Sequence, residues 1–451
     1  MSVPVATKRC RSQIRACLQV LDQVLFSVLR ERRPADRALR YVFKKNSKFG
    51  SRDRRLIAES VFSVFRWLGW LAELPEVEAE LPVSVPESGL GDDSLLRLLA
   101  GAWLLDDFDD SSRISEVFIQ LGLSEKTACD VNGLSNQDKF AKFANLLSGT
   151  EQWGVPARES LLPAWASGEC GPGVDWLRVV DWFQTRPPMY IRIQGGADND
   201  TRVTEWLRQE GAVFDVLPPP FRGVRLRECP VNLYQSELFR DGAFELQDAA
   251  SQVVGLVCAP SPGQRWWDCC AGGGGKSLQL ADLMNGRGQV LASDVRDYKL
   301  KDTRLRARRG GFSNVSCKPW KSGGAPAKAG SFDGVLVDAP CTCSGTWRRN
   351  PDGRWTTRPE DVDEMRETQL DILERARRGV RSGGCLVYAT CSVFTAENEA
   401  VVEAFLDHNH DFRLMPFPHP FDDGECGGML RIWPWELDSD AMFVAKLERC
   451  G

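Results

Sequence analysis

From about Gly242 onward the chain repeats one pattern: a short apolar run, a loop rich in reactive side chains, then a helical stretch. Arg265-Trp266-Trp267-Asp268 leads into a glycine string and a helix from Ser277. Gln289-Val290-Leu291-Ala292-Ser293-Asp294, Gly334-Val335-Leu336-Val337-Asp338 and Gly384-Cys385-Leu386-Val387-Tyr388-Ala389 are further runs of the same kind. Short apolar strands alternating with helices predict a parallel sheet covered on both faces, an α/β Rossmann-like doubly wound domain over residues 242–451. Such a sheet gathers its ligands at the carboxyl ends of its strands, so the chemistry is sought there.

Upstream the periodicity is helical. Ile14, Leu18, Leu21, Leu25, Val28 and Leu29 recur at helical spacing, as do Ala58, Val61, Phe62, Phe65 and Leu68, which predicts an all-α N-terminal domain over residues 1–150. Gly154, Pro156 and the Gly/Pro-rich stretch from Gly168 to Gly173 then punctuate the chain. Tyr190, Ile191 and Ile193 alternate like a strand, Val203 to Leu207 reads as a helix and Val213 to Val216 as a second strand. Residues 151–241 are therefore expected to form a small α+β module. A net charge of −5 conceals an asymmetry. Residues 1–70 hold 16 basic and 5 acidic side chains, residues 71–125 hold 2 and 13. Such a field orients a molecule on a polyanion, or else reflects two solvated helical faces.

Other classes are disfavoured. No apolar run reaches ~18 residues, so no membrane span is expected, and the basic N-terminus lacks the apolar run of a secretory signal. Fifteen cysteines, an odd number with no pair at CxxC spacing, suit neither a disulfide framework nor a zinc ribbon. Free thiols in a reducing cytoplasm and no bound metal are expected. His408, His410 and His419 are the only histidines, and the first two read as surface residues.

Three strand ends carry the chemistry. Cys270-Ala271-Gly272-Gly273-Gly274-Gly275-Lys276 opens a helix, and glycines there let a ligand approach backbone N–H groups. Asp294, closing the next strand, suits the two hydroxyls of a ribose, which points to a nucleoside-bearing cofactor. Lys276-Ser277 resembles the end of a phosphate-binding loop, but the first glycine of that frame is absent. Asp338-Ala339-Pro340-Cys341 ends the third strand, and Tyr388-Ala389-Thr390-Cys391-Ser392 a later one. Two thiols and a carboxylate at one cleft suit methylation of a pyrimidine at carbon 5. A thiolate adding to carbon 6 turns carbon 5 into an enamine, which accepts a methyl group from a sulfonium. The residues themselves do not rank Cys391 above Cys341.

These segments together resemble the Sun/Fmu family of RNA (cytosine-5) methyltransferases. The resemblance is carried by Asp338-Ala339-Pro340-Cys341, Arg348-Arg349-Asn350-Pro351-Asp352 with Trp355, Tyr388-Ala389-Thr390-Cys391-Ser392-Val393 with Glu397-Asn398, and Phe443-Val444-Ala445-Lys446. It extends to Leu246-Gln247-Asp248-Ala249-Ala250-Ser251-Gln252 and Arg186-Pro187-Pro188, and covers roughly residues 160–450. Arg52-Asp53-Arg54-Arg55-Leu56 looks like the NusB-type RNA-binding domain fused to some members. The resemblance implies a monomeric enzyme that uses S-adenosyl-L-methionine to methylate cytosine in RNA, with 16S rRNA as the expected target. It implies that Cys391 attacks, that Cys341 helps release the product, and that Asp338 holds the cytosine N3 edge near the cofactor. Lys276 would lie in the active-site loop. A transfer-RNA or DNA cytosine methyltransferase, and an RNA-binding ribosome-assembly factor that has lost catalysis, remain as alternatives.

Two departures stand out. Gly273 occupies a position where the family carries proline. Cys317-Lys318-Pro319-Trp320 lacks the acid that the family places near adenine, and the ring of Trp320 is the expected substitute. Arg348, Arg349 and the basic run Arg296, Lys299, Lys301, Arg304, Arg306, Arg308 and Arg309 are candidate phosphate contacts, the last group equally a solvated helix face.

Overall fold

The central apolar runs become strands because side chains on both of their faces find cover. In the computed structural model, which describes residues 8–77, 81–124, 133–150, 153–320 and 328–451, Trp266 packs into one buried cluster and Trp267 into another. Leu336 and Val387 share the first cluster, Val337 and Tyr388 the second. This period-2 division is what a sheet sandwiched between two helical layers requires.

The chain divides into two units. One comprises Glu169–Pro172, Arg186–Thr346 and Arg358–Gly451. It begins with a four-stranded antiparallel sheet of β1 (Met189–Ile193), β2 (Val213–Val216), β3 (Gly223–Glu228) and β4 (Phe244–Leu246), in the order β2-β3-β1-β4. The helix Ala197–Gln209 buries Val203 and Leu207 against it.

The large sheet follows. Its strands are β5 (Arg265–Asp268), β6 (Gln289–Ala292), β7 (Val315–Cys317), β8 (Phe332–Asp338), β9 (Val380–Thr390) and β10 (Phe412–Leu414). After the small ribbon of β11 (Phe417–Pro418) and β12 (Glu425–Cys426) it adds β13 (Met429–Ile432) and β14 (Met442–Arg449). The order is β10-β14-β9-β8-β5-β6-β7, with β13 beside β14. Strands β9, β8, β5, β6 and β7 are mutually parallel. The helices Ala249–Cys258 and Gly275–Leu283 cover one face, Pro359–Ala376 and Glu399–His408 the other. The sheet is not wholly parallel, because β14 pairs antiparallel with β9, and β10 and β13 antiparallel with β14. Strand direction follows from the connections, which a strand's own apolar pattern does not encode. The chain runs outward from β5 to β7 and returns at β8, so β5 and β8 flank the switch point where ligands bind in such sheets.

The other unit comprises Met1–Gly168, Gly173–Thr185 and Trp347–Thr357. Its main helices are Lys8–Leu29, Ala35–Lys45, Ser51–Leu71, Asp92–Leu105, Ser111–Gln120 and Asn136–Ser148. Trp70, Trp103, Phe65, Phe118, Phe140 and Phe143 fill its core. The segment from Trp347 is bound into this unit by Arg354, which is fully buried. Its guanidinium donates to the carbonyls of Arg66, Leu161, Phe183 and Trp347 and to Gln184 Oε1. Asp352 accepts from Ala35 N at 2.8 Å, and Trp355 Nε1 donates to Phe65 O at 2.7 Å. Arg348 is buried as well, donating to Thr185 Oγ1 at 2.9 Å with its guanidinium 5.1 Å from the Trp182 ring. The expectation that Arg348 meets phosphate is thereby corrected: it is committed to packing. No described helix is long and apolar enough to cross a membrane.

Candidate active site

The loop after β5 owes its shape to glycine. Gly272 has φ +54° and Gly274 φ +85°, both in the left-handed region, and a Cβ on Gly274 would lie 2.6 Å from Thr303 Cγ2. At Gly273, the position of the missing proline, φ is not left-handed, and its carbonyl accepts from Arg306 Nη1 at 2.7 Å. Arg306 and Arg309 both pair with the buried Glu245 of β4. Arg306 therefore braces the loop and Arg309 shares its carboxylate partner, so neither belongs to a bare solvated face.

Beneath the loop lies Asp268, fully buried at the end of β5, accepting from Ser277 Oγ at 2.6 Å while its Oδ1 finds no partner among the described residues. Burial pushes its carboxyl up to about 7, against the pull of the Ser277 hydrogen bond. Asp294 follows β6. Its carboxylate accepts from Gly272 N at 2.9 Å, from Arg296 N at 2.8 Å, and from Arg296 Nε and Nη2 at 2.9 and 3.0 Å. Burial alone would raise its pKa, and the Arg296 hydrogen bonds outweigh that and lower it. The acid proposed for ribose is thus held in place by the loop and covered by the half-exposed Arg296.

Asp338 and Lys276 meet at 2.7 Å, Nζ to Oδ2. Burial would strip the ammonium of its proton, but the charge and hydrogen bond of Asp338 prevail and raise its pKa. The two thiols lie 3.4 Å apart, Cys341 Sγ to Cys391 Sγ, at the ends of β8 and β9. The Cys341 thiol is pushed well above its ordinary value by hydrogen bonds with Cys343 and Cys391 and by burial. For Cys391 the bond from Cys341 lowers the value, and Cys343 with burial more than reverses it. The structure brings Cys270 to Lys276, Asp294, Asp338, Cys341 and Cys391 to the same carboxyl edge of the sheet.

One residue had no role assigned from sequence. Glu397, fully buried, accepts from Thr342 N at 2.9 Å, Thr342 Oγ1 at 2.6 Å, Ser392 Oγ at 2.5 Å and Gln369 Nε2 at 3.0 Å. Thr342 follows Cys341 and Ser392 follows Cys391, so one carboxylate ties together both thiol-bearing loops. The Glu397-Asn398 dipeptide was the signal; its meaning depends on contacts 55 residues apart in the chain. The expectation that the Trp320 ring substitutes for the missing acid is corrected by its burial. Its side chain is 6% exposed, edge-on to Trp267 at 4.8 Å and covered by the Arg375 guanidinium at 4.8 Å, so its ring belongs to the core.

Residues 255–448 match the family model described as 16S rRNA methyltransferase RsmB/F. Over 275 residues the chain is 31% identical to ribosomal RNA small subunit methyltransferase B of Vibrio cholerae, covering 61% of this chain and 62% of that one. With the protein of the same name from Salmonella paratyphi C it shares 32% over 280 residues, 60% and 62% of the two chains. The chain thus spans about three fifths of the length of these curated relatives. Among solved structures, PH0851 aligns over the whole of both chains with a TM-score of 0.71 and 27% identity. NSun6 from Pyrococcus horikoshii with SFG, 18% identical with a TM-score of 0.51 over 64% of this chain and 97% of that one, shares the fold.

Proposed function

We propose, from the match of residues 255–448 to the family model described as 16S rRNA methyltransferase RsmB/F, that this chain transfers a methyl group from S-adenosyl-L-methionine to carbon 5 of a cytosine in small-subunit ribosomal RNA. The observation that carries the reading is the pair of thiols 3.4 Å apart at two adjacent strand ends, beside the Asp338–Lys276 ion pair. Methyl transfer to carbon or nitrogen in general needs no thiol; activation of a pyrimidine ring by addition at carbon 6 does.

The residues present fit the donor. Asp294, anchored by Gly272 N, faces a ribose once Arg296 swings outward, and the unpaired Oδ1 of Asp268 lies beneath the same loop. Val295 and Tyr298, 59% and 55% exposed, follow Asp294 and offer apolar surface to adenine in place of the missing acid. The bound donor supplies an electrophilic methyl group on a sulfonium.

In the reaction the Cys391 thiol gives its proton to the Asp338 carboxylate, and the thiolate forms a bond to carbon 6 of cytosine. The Asp338 carboxyl, now carrying that proton, donates it to N3 and so neutralises the charge that develops on the ring. The Lys276 ammonium stabilises both the Asp338 carboxylate and the Cys391 thiolate. Electrons from the resulting enamine form the new bond at carbon 5. Cys341 assists loss of the carbon-5 proton, after which the sulfur–carbon bond breaks and the pyrimidine regains its double bond. Glu397 is a positioning residue, holding both loops at the spacing this sequence of steps needs. In the helical unit the exposed Arg52, Arg54 and Arg55 are placed for RNA phosphates. The fourteen described cysteines, all free, suit a cytoplasmic protein.

Transfer of tritium from labelled S-adenosyl-L-methionine to total RNA, followed by bisulfite mapping, tests this. Label in 5-methylcytosine at a discrete small-subunit site is expected. RNA binding without transfer would instead make the chain an assembly factor.

A further inference from the structure

Cys343 takes part in no step above, yet its sulfur stands with the other two. The Sγ atoms of Cys341, Cys343 and Cys391 all lie within 4.8 Å of one another. Cys343 is exposed, so the cluster opens to solvent on its side. Its φ is +59°, a left-handed conformation that residues other than glycine disfavour. The turn is held there by Thr346, whose N and Oγ1 both donate to Cys343 O at 2.9 Å. A strained residue pinned so that its thiol meets two others is an arrangement for binding.

We propose that Cys341, Cys343 and Cys391 form a site for a thiophilic d10 cation such as Zn²⁺, and that loading it silences methyl transfer. The second half rests on the proposed function; the binding does not. An ion with thiolate bonds of about 2.3 Å in tetrahedral geometry sets its sulfurs about 3.8 Å apart. The separations here, 3.4 Å for one pair and no more than 4.8 Å for the others, bracket that value. Three sulfurs with no oxygen donor select soft ions over Mg²⁺ or Ca²⁺. The nearby Lys276 charge is balanced by Asp338 at 2.7 Å and does not repel the ion unopposed. Binding forms three metal–sulfur bonds and releases the remaining thiol protons, leaving a fourth position for water. A Cys391 sulfur bound to the ion shares its negative charge with the metal and is screened by it from carbon 6, so ion and pyrimidine compete for the same sulfur.

The test uses the full chain with Co²⁺ as a spectroscopic probe. The wild type is expected to show thiolate-to-cobalt charge-transfer absorption that Zn²⁺ displaces. In Cys343→Gly, whose new residue suits φ +59°, the affinity for Co²⁺ is expected to fall at least tenfold, and Cys343→Ser serves as a second variant. Inhibition of tritium transfer by Zn²⁺, reversible by chelator, should weaken by the same factor. No charge-transfer band, or an unchanged affinity in both variants, overturns the site. A band lost in Cys343→Gly from a chain that never methylates RNA would uphold the site and overturn the proposed function.

Discussion

Asp268 shows how much one buried oxygen can govern. Its folded pKa of about 7 lies above the ordinary 3.8, so the folded state binds a proton that the unfolded state has released over that interval. Stability therefore falls as pH rises from about 4 to 7, and the full cost is present above 7. Relative to Asp268→Asn, the wild type is expected to lose thermal stability across that window, and parallel melting curves at all pH values would refute this. Strand-end positions such as Asp268, Asp294 and Asp338 are legible in sequence because each terminates a short apolar run. Their partners are not. Lys276 meeting Asp338, or Arg375 covering Trp320, depends on where helices from other parts of the chain come to rest. Arg348 misleads for the same reason: a guanidinium reads as surface until the groups that satisfy it are assembled from distant segments.

At the scale of elements, the loops after β5, β8 and β9 carry the site, and two devices fix them. Glu397 spans the β8 and β9 loops. Replacing it with alanine leaves Thr342 N without its acceptor and Gln369 Nε2 with the Pro340 carbonyl alone, a loss of roughly 2–4 kcal/mol in urea unfolding. Glu397→Gln, which keeps an acceptor oxygen, is expected to fold and bind RNA normally while kcat falls at least tenfold with KM little changed. Equal losses in both parameters would reduce Glu397 to a binding element. Gly274 fixes the β5 loop, and Gly274→Ala is expected to weaken S-adenosyl-L-methionine binding at least tenfold by calorimetry, because both φ +85° and the Thr303 methyl oppose a Cβ. Strands β1, β2, β5, β6, β8 and β9 are foreshadowed by alternation and short apolar runs, whereas β3, β4, β7, β10 and β13 are not. The antiparallel direction of β14 is not, since Phe443-Val444-Ala445-Lys446 reads the same either way.

At the scale of the molecule, the chain joins a helical unit with a strongly basic segment to a unit holding the reactive sulfurs. If Arg52, Arg54 and Arg55 meet phosphates, each alanine substitution should lower the salt slope of RNA binding by about 1 without changing kcat at saturating RNA. An unaltered slope would return these arginines to the role of a solvated face. The central claim, that the sulfur of Cys391 bonds to cytosine and that of Cys341 helps it leave, meets its most direct test on a denaturing gel. Cys341→Ala incubated with RNA and S-adenosyl-L-methionine should accumulate a protein–RNA adduct that survives denaturation, and Cys391→Ala should form none and transfer no methyl. An adduct in Cys391→Ala and none in Cys341→Ala would contradict the account.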